Sequence, residues 1–247
     1  IIKIYTYNKD IHTHQTHTSQ RNQMADLGAK FKAVTALPYE GQAKFFLNAF
    51  WAENGSSAED VWKWAHRFAE LDNQKGKEGS DLDEFNAHRF LEGVGETRRV
   101  VELREELRAI DLDFNKRMAL IEFLLFHFKH PIKVLLSRPQ GTNESLALAQ
   151  KALQDVQKEI DAIETKKNAL QKNADLPGVK GMQAKNELDQ LLSADQTALN
   201  RAVLSAEAAV RKAQKMGGES AQGSLWWVNR ELEEAKKYKP KRNLPKQ

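Results

Sequence analysis

The run Asp111-Leu-Asp113-Phe-Asn115-Lys116-Arg117-Met118-Ala119-Leu-Ile-Glu122 constrains this chain more than any other part of it. It sets side-chain oxygens at the first, third, fifth and twelfth places of a twelve-residue window, the ligand spacing of an EF-hand calcium loop. Val100, Leu103, Leu107 and Ile110 recur at helical spacing before it, and Phe123, Leu124, Phe126 and Phe128 crowd the segment after it. The pattern predicts helix, loop, helix.

Calcium is a hard cation that takes six to eight oxygens. Asp111, Asp113 and Asn115 would each offer a side-chain oxygen, Arg117 its backbone carbonyl, and Glu122 both carboxylate oxygens from the first turn of the exiting helix. Ala119 leaves a place that water can fill, and the apolar Met118 suits the short strand that pairs two such loops. The sixth place departs from the motif. Lys116 stands where Gly would supply a left-handed backbone, at a cost of about 1–2 kcal/mol, which predicts weakened affinity. The alternative is an acidic, solvated turn between two helices.

Such loops come in pairs, and a second, irregular one lies upstream. Val61, Trp64, Ala65 and Phe68 line one face of a helix entered through Ser57-Ala-Glu-Asp60. After Leu71 the segment Asp72-Asn-Gln-Lys-Gly76-Lys-Glu-Gly79-Ser-Asp81-Leu-Asp83-Glu84 is one residue too long for the standard loop when Asp72 and Glu84 are taken as its end ligands. Gly76 falls where a side-chain oxygen is wanted, between Lys75 and Lys77. The loop is either a variant binding through carbonyls or a metal-free structural partner. Ammonium groups beside a dication favour the second.

Residues 1–23 differ from the rest: the polar repeat containing His12, His14 and His17 has no core-forming period and reads as a disordered or non-native leader. Residues 24–138 read as an EF-hand-containing helical domain, with Phe46, Leu47, Phe50 and Trp51 as core. Pro131 and Ser137-Arg-Pro139-Gln-Gly141 break the pattern. From 142 to 247 the chain reads as a helical region with a basic tail. Leu153, Val156, Ile160, Ile163 and Leu170 recur at spacings of three and four, with Lys167 in one slot. Asp175-Leu-Pro177-Gly178 ends that helix, and a second runs over Met182, Leu188 and Leu191. Ser193-Ala-Asp-Gln196 reads as a capping box for a third, Ala-rich helix. The fold class is therefore all-α: an EF-hand pair, with short β pairing between its loops, followed by an elongated helical hairpin or bundle.

Trp226 and Trp227 are adjacent, so both cannot face one apolar stripe; one of them, or both, could anchor a partner. Lys180, Lys185, Arg201, Arg211, Lys212, Lys215, Lys236 and Lys237 are candidate contacts to an acidic surface, and a net charge of +4 agrees with such a partner. The absence of cysteine excludes a disulfide scaffold and thiol catalysis. There is no phosphate-binding glycine loop after a strand, no nucleophile elbow and no His-Glu-x-x-His run, so an enzyme is not expected. No apolar run approaches bilayer-spanning length.

Several segments together resemble the calcium-regulated F-actin-bundling proteins of amoeboid cells: Leu82-Asp-Glu-Phe-Asn-Ala-His-Arg-Phe-Leu-Glu92, Arg108 to Phe123, Gly178-Val-Lys-Gly-Met182, Leu191-Leu-Ser-Ala-Asp195, and Trp226-Trp-Val-Asn-Arg-Glu231 with Lys236-Lys-Tyr-Lys-Pro240. The resemblance spans residues 24 to about 242. It implies a monomeric cytoplasmic protein of the actin cytoskeleton and cell cortex that cross-links F-actin, with Ca2+ reducing that activity, and neither nucleic-acid binding nor membrane insertion. It also implies a filament-binding surface that includes the C-terminal helical region. The alternatives are an EF-hand buffer or adaptor for another protein target, and a basic helical nucleic-acid binder.

Overall fold

The computed structural model describes residues 25–94, 105, 115–141, 144–216 and 218–241. The chain forms two compact units that divide between Gln140 and Gly141. Among the described residues the structure is helical apart from one two-stranded antiparallel sheet. None of the described helices is long and apolar enough to cross a membrane.

The first unit opens with helix α1 over residues 25–35, followed by α2 (Tyr39–Ala49), α3 (Trp51–Asn54) and α4 (Ala58–Leu71). The first loop then leads into strand β1 (Asp81–Leu82) and α5 (Glu84–Gly93). After the second loop come β2 (Met118–Ala119), α6 (Leu120–His127) and the short α7 (Ile132–Ser137). Of the entering helix expected at Val100 to Ile110, Glu105 alone is among the described residues, helical and exposed.

Helix α4 shows why these sequences bury as they do. Val61, Ala65, Phe68 and Leu71 recur every three or four residues and are all buried, while Lys63, Arg67 and Glu70 face water. Phe68 meets Phe90 of α5 edge-on at 4.4 Å between ring centroids, and Phe90 meets Phe123 of α6 at 4.8 Å, so one aromatic relay joins the helices that flank both loops. Phe46, Leu47 and Phe50 are buried as expected, whereas Trp51 is half-buried. Behind α7, the Arg138 guanidinium stacks over Phe50 at 4.8 Å and donates to the Ala49 carbonyl at 2.7 Å and to Glu53 at 2.8 Å. These contacts fix the end of the unit.

The second unit is built on α8 (Glu144–Ala174), a helix of 31 residues. With α9 (Val179–Ser193), α10 (Thr197–Met216) and α11 (Gln222–Lys236) it makes two apolar clusters. Leu146, Ala149, Val156 and Ile160 of α8 meet Leu199, Ala206, Val210 and Ala213 of α10 and Val228 and Leu232 of α11. Further along α8, Leu170 and Ala174 meet Ala184 and Leu188 of α9. The alanines at the α8–α10 contact let the two backbones approach closely. Lys167 does occupy a seam slot. It is 4% exposed, and its ammonium pairs with Glu164 at 2.6 Å. Glu164 also accepts from the Tyr238 hydroxyl at 2.7 Å, which fastens the chain after α11 to α8.

Two local expectations are corrected. Met182 is 62% exposed on α9 and does not join the seam. Ser193 closes α9, its hydroxyl on the Asp189 carbonyl at 2.7 Å. The start of α10 is instead organised by Asp195, which accepts from Thr197 Oγ1 at 3.2 Å and Asn200 Nδ2 at 3.0 Å. A hydroxyl already turned back on its own helix has no reach to the next one.

Candidate metal centre

The two loops meet through β1 and β2, in the register Leu82 opposite Met118 and Asp81 opposite Ala119. Met118 is the eighth place of the second loop. Leu82 opposite it is taken as the eighth place of the first loop.

Several features of the second loop fit a calcium-binding course. Lys116 has φ 61°, the left-handed backbone that its sixth place requires, although it is not glycine. Asn115 Oδ1 accepts from the Arg117 N–H at 2.6 Å, which turns the backbone after the fifth place. Glu122 has no exposed surface, and its Oε2 accepts from the Ala119 N–H at 2.9 Å, so the carboxylate is tied to the first turn of α6. A buried carboxylate is tolerable only among donors or beside a cation. The residues present thus fit a calcium ion. Asp111 and Asp113, the first and third ligands, lie outside the described residues. Among the described ones, no group of three His, Cys, Asp or Glu side chains is placed to hold a metal.

The first loop is numbered from the same strand pair. Counting forward from Leu82, the ninth place falls to Asp83. The twelfth falls to Asn86. Glu84, expected as the closing ligand, is instead equivalent to Leu120; it is the exposed first residue of α5 and lies outside the cleft. Counting from Asp72 could not reveal this, because the register is set by strand pairing, not by the acidic residue nearest in sequence. The positive-φ residue in this loop is Gly76 at 56°, and it opens a 3-10 turn over Gly76–Glu78.

What remains is a cleft of about 140 Å³ lined by Asp72, Asn73, Gln74, Asp81, Asp83, Asn86 and Arg117. Its carboxylates already have internal donors. Asp72 Oδ1 accepts from the N–H groups of Gln74 and Lys75, each at 3.0 Å, and Oδ2 from the Tyr39 hydroxyl at 3.0 Å. Burial opposes charge on Asp72, but these donors hold its carboxyl below the usual range. Burial, with Asp72 alongside, pushes the Tyr39 phenol well up, so it stays a donor. Asp83 caps α5, accepting from Asn86 N–H at 2.8 Å. Asp81 accepts from Ser80 Oγ at 3.2 Å and is ion-paired with Arg117 Nε. Gly79 is required by close approach: a Cβ there would stand 1.8 Å from Asp72 Oδ2 and 2.9 Å from the Tyr39 ring.

Sequence reasoning missed Tyr39 and Gln42. Gln42 is fully buried; its Nε2 donates to the carbonyls of Thr35, Leu37 and Ser80 at 2.7–3.0 Å, and its Oε1 accepts from the Ile121 N–H at 2.9 Å. It joins α1, α2, the first loop and α6 through one side chain. The available signal was a polar residue on the same face as Tyr39, Ala43 and Phe46.

Of the candidate partner contacts, Lys180, Lys185, Arg201, Lys212 and Lys215 are exposed on α9 and α10. Arg211 and Lys236 converge on Glu207, at 3.0 and 2.6 Å, and Lys236 also meets Glu233 at 2.7 Å, tying α11 to α10. Lys237 pairs with Glu234 at 3.0 Å. Trp227 is 1% exposed, and Trp226 beside it is half-buried.

Residues 98–243 match the family described as F actin bundling C terminal. A calcium-regulated actin-bundling protein of Dictyostelium discoideum is 33% identical over 258 residues, covering 84% of this chain and 86% of that protein. The chain belongs to the F-actin-bundling family. The crystal structure of the 34 kDa F-actin bundling protein from Dictyostelium discoideum superposes with a TM-score of 0.79 at 33% identity, over 89% of this chain and 99% of that one. The family segment starts before the second loop, crosses the unit boundary and takes in all of α8 to α11, so the second loop and the helical unit fall within one family match.

Proposed function

We propose that this protein binds and cross-links actin filaments under calcium control, calcium reducing the bundling. The carrying observation is the similarity to a calcium-regulated actin-bundling protein along most of both chains, in a chain whose second loop keeps a left-handed sixth place and a tied twelfth-place carboxylate. Asp111, Asp113, Asn115, the Arg117 carbonyl and Glu122 would hold the ion, which supplies a divalent charge that draws these oxygens together. The first loop serves as a metal-free partner.

Glu122 sits in the first turn of α6, so a shift of its carboxylate moves α6 against Trp64, whose ring meets Phe123 at 5.2 Å and His127 at 4.8 Å. Reorientation of α6 passes through α7 to the Arg138 anchor and masks one filament contact. A cross-linker needs two such contacts, so losing one ends bundling. The exposed Lys180, Lys185, Arg201, Lys212 and Lys215, with Trp226, supply salt-sensitive contacts to an acidic filament. The protein acts as a monomer in the cytoplasm, on the actin cytoskeleton and at the cell cortex.

Co-sedimentation with filaments at low and high speed, with and without calcium, tests this. Bundles should pellet at low speed without calcium and decrease with it. A protein that stays in the supernatant under every condition contradicts the assignment and leaves a calcium adaptor for another target.

A further inference from the structure

Arg117 faces two ways. Its main chain lies at the seventh place of the second loop, where a carbonyl ligand is wanted. Its side chain leaves that loop and enters the acidic cleft of the first, at the equivalent seventh place. There Nε is ion-paired with Asp81 Oδ1, and Nη2 donates to the Asp81 carbonyl at 3.3 Å. The guanidinium is thus held at two points on one residue.

We infer that the Arg117 guanidinium is the resident cation of the first loop, and that through it the first loop positions the main chain of the second for calcium. The inference rests on calcium binding at the second loop, as proposed above. Three fastenings converge on this one segment: the Asp81 pairing, the Arg117 N–H on Asn115 Oδ1 at 2.6 Å, and the bridges Asp81–Ala119 and Leu82–Met118. Between them lies Lys116, held at φ 61° without the freedom of glycine. A non-glycine residue keeps that conformation when its surroundings over-determine it, and an anchored neighbour does so. Ordering the loop before the ion arrives lowers the entropy lost on binding. Against this stands direct repulsion between the guanidinium and a dication, which its pairing with Asp81 offsets. Arg117 is a positioning residue here, because the group serving the ion is its carbonyl, which every substitution retains.

The test is calcium titration calorimetry on the full chain, with circular dichroism to verify folding and hydrogen exchange at the Met118 and Ala119 amides without calcium. Arg117→Ala should weaken calcium binding about two- to five-fold, the scale of a partly exposed ion pair, and speed exchange at both amides. Asp81→Arg and Arg117→Asp should each weaken it, and combining them should restore it, which a merely space-filling role would not allow. Unchanged or tighter binding by Arg117→Ala, or a reversed pair no better than its single variants, overturns the inference. Wild-type protein that takes up no calcium, or takes it up undiminished with Glu122→Gln, instead overturns the second-loop assignment on which it rests.

Discussion

The two loops of the first unit share a strand pair but satisfy their charges in opposite ways. In the first, Asp72, Asp81 and Asp83 accept hydrogen bonds from the Tyr39 hydroxyl and the backbone amides of Gln74, Lys75 and Asn86, or pair with Arg117. In the second, Glu122 is drawn into the core against the Ala119 N–H, and Lys116 holds a left-handed turn that only a specific loop course requires. On the proposed reading, acidic residues alone do not make a metal loop. Placement relative to the strand pair, and the donors already present, decide whether a carboxylate needs an ion.

The largest effect that sharpens this contrast is expected from Glu122→Gln. Glutamine can still accept the Ala119 N–H, so the fold should persist, while calcium affinity falls by at least about ten-fold with loss of the bidentate carboxylate. Calorimetry checks the affinity, and low-speed sedimentation should show bundling that no longer responds to calcium. Next is Lys116→Gly: the backbone is already left-handed without an ion, so relief of the strain should appear in urea unfolding as a gain of up to about 1 kcal/mol, with calcium affinity changed less than about two-fold in the same titration. In the first loop, Tyr39→Phe removes the hydroxyl from Asp72 and the Asp81 carbonyl. Urea unfolding should report a loss of about 1 kcal/mol, with calcium stoichiometry unchanged. The smallest effect belongs to Glu84→Gln, at an exposed site outside the cleft. Stability should stay within about 0.5 kcal/mol and calcium affinity within error; a clear drop in affinity would return Glu84 to the ligand set.

Much of this was legible in the sequence because it depended on local spacing. The buried stripe of α4, the seam of α8 through Val156, Ile160 and Leu170, the helix end at Ala174, and the demand for a left-handed residue at Lys116 follow from periods of three and four or from a fixed loop template. The first loop was not legible in the same way. Its register depends on Leu82 lying opposite Met118, a contact 36 residues away that no count from Asp72 contains. Gln42 was missed because its partners Ser80 and Ile121 lie 38 and 79 residues distant. Arg117 was read for its carbonyl alone, since nothing local says where a long flexible side chain finds its carboxylate. Trp226 and Trp227 divided as helix geometry requires, one half-buried and one fully buried, but which of the two would be buried is not contained in their local spacing.

The asymmetry of the two loops is tested most directly by the number of calcium ions the full chain takes up at saturation. Titration calorimetry should find one ion per chain for the wild type and none in the same concentration range for Glu122→Gln. Two ions per chain, or one retained by Glu122→Gln, would contradict a single metal loop seated beside a metal-free partner.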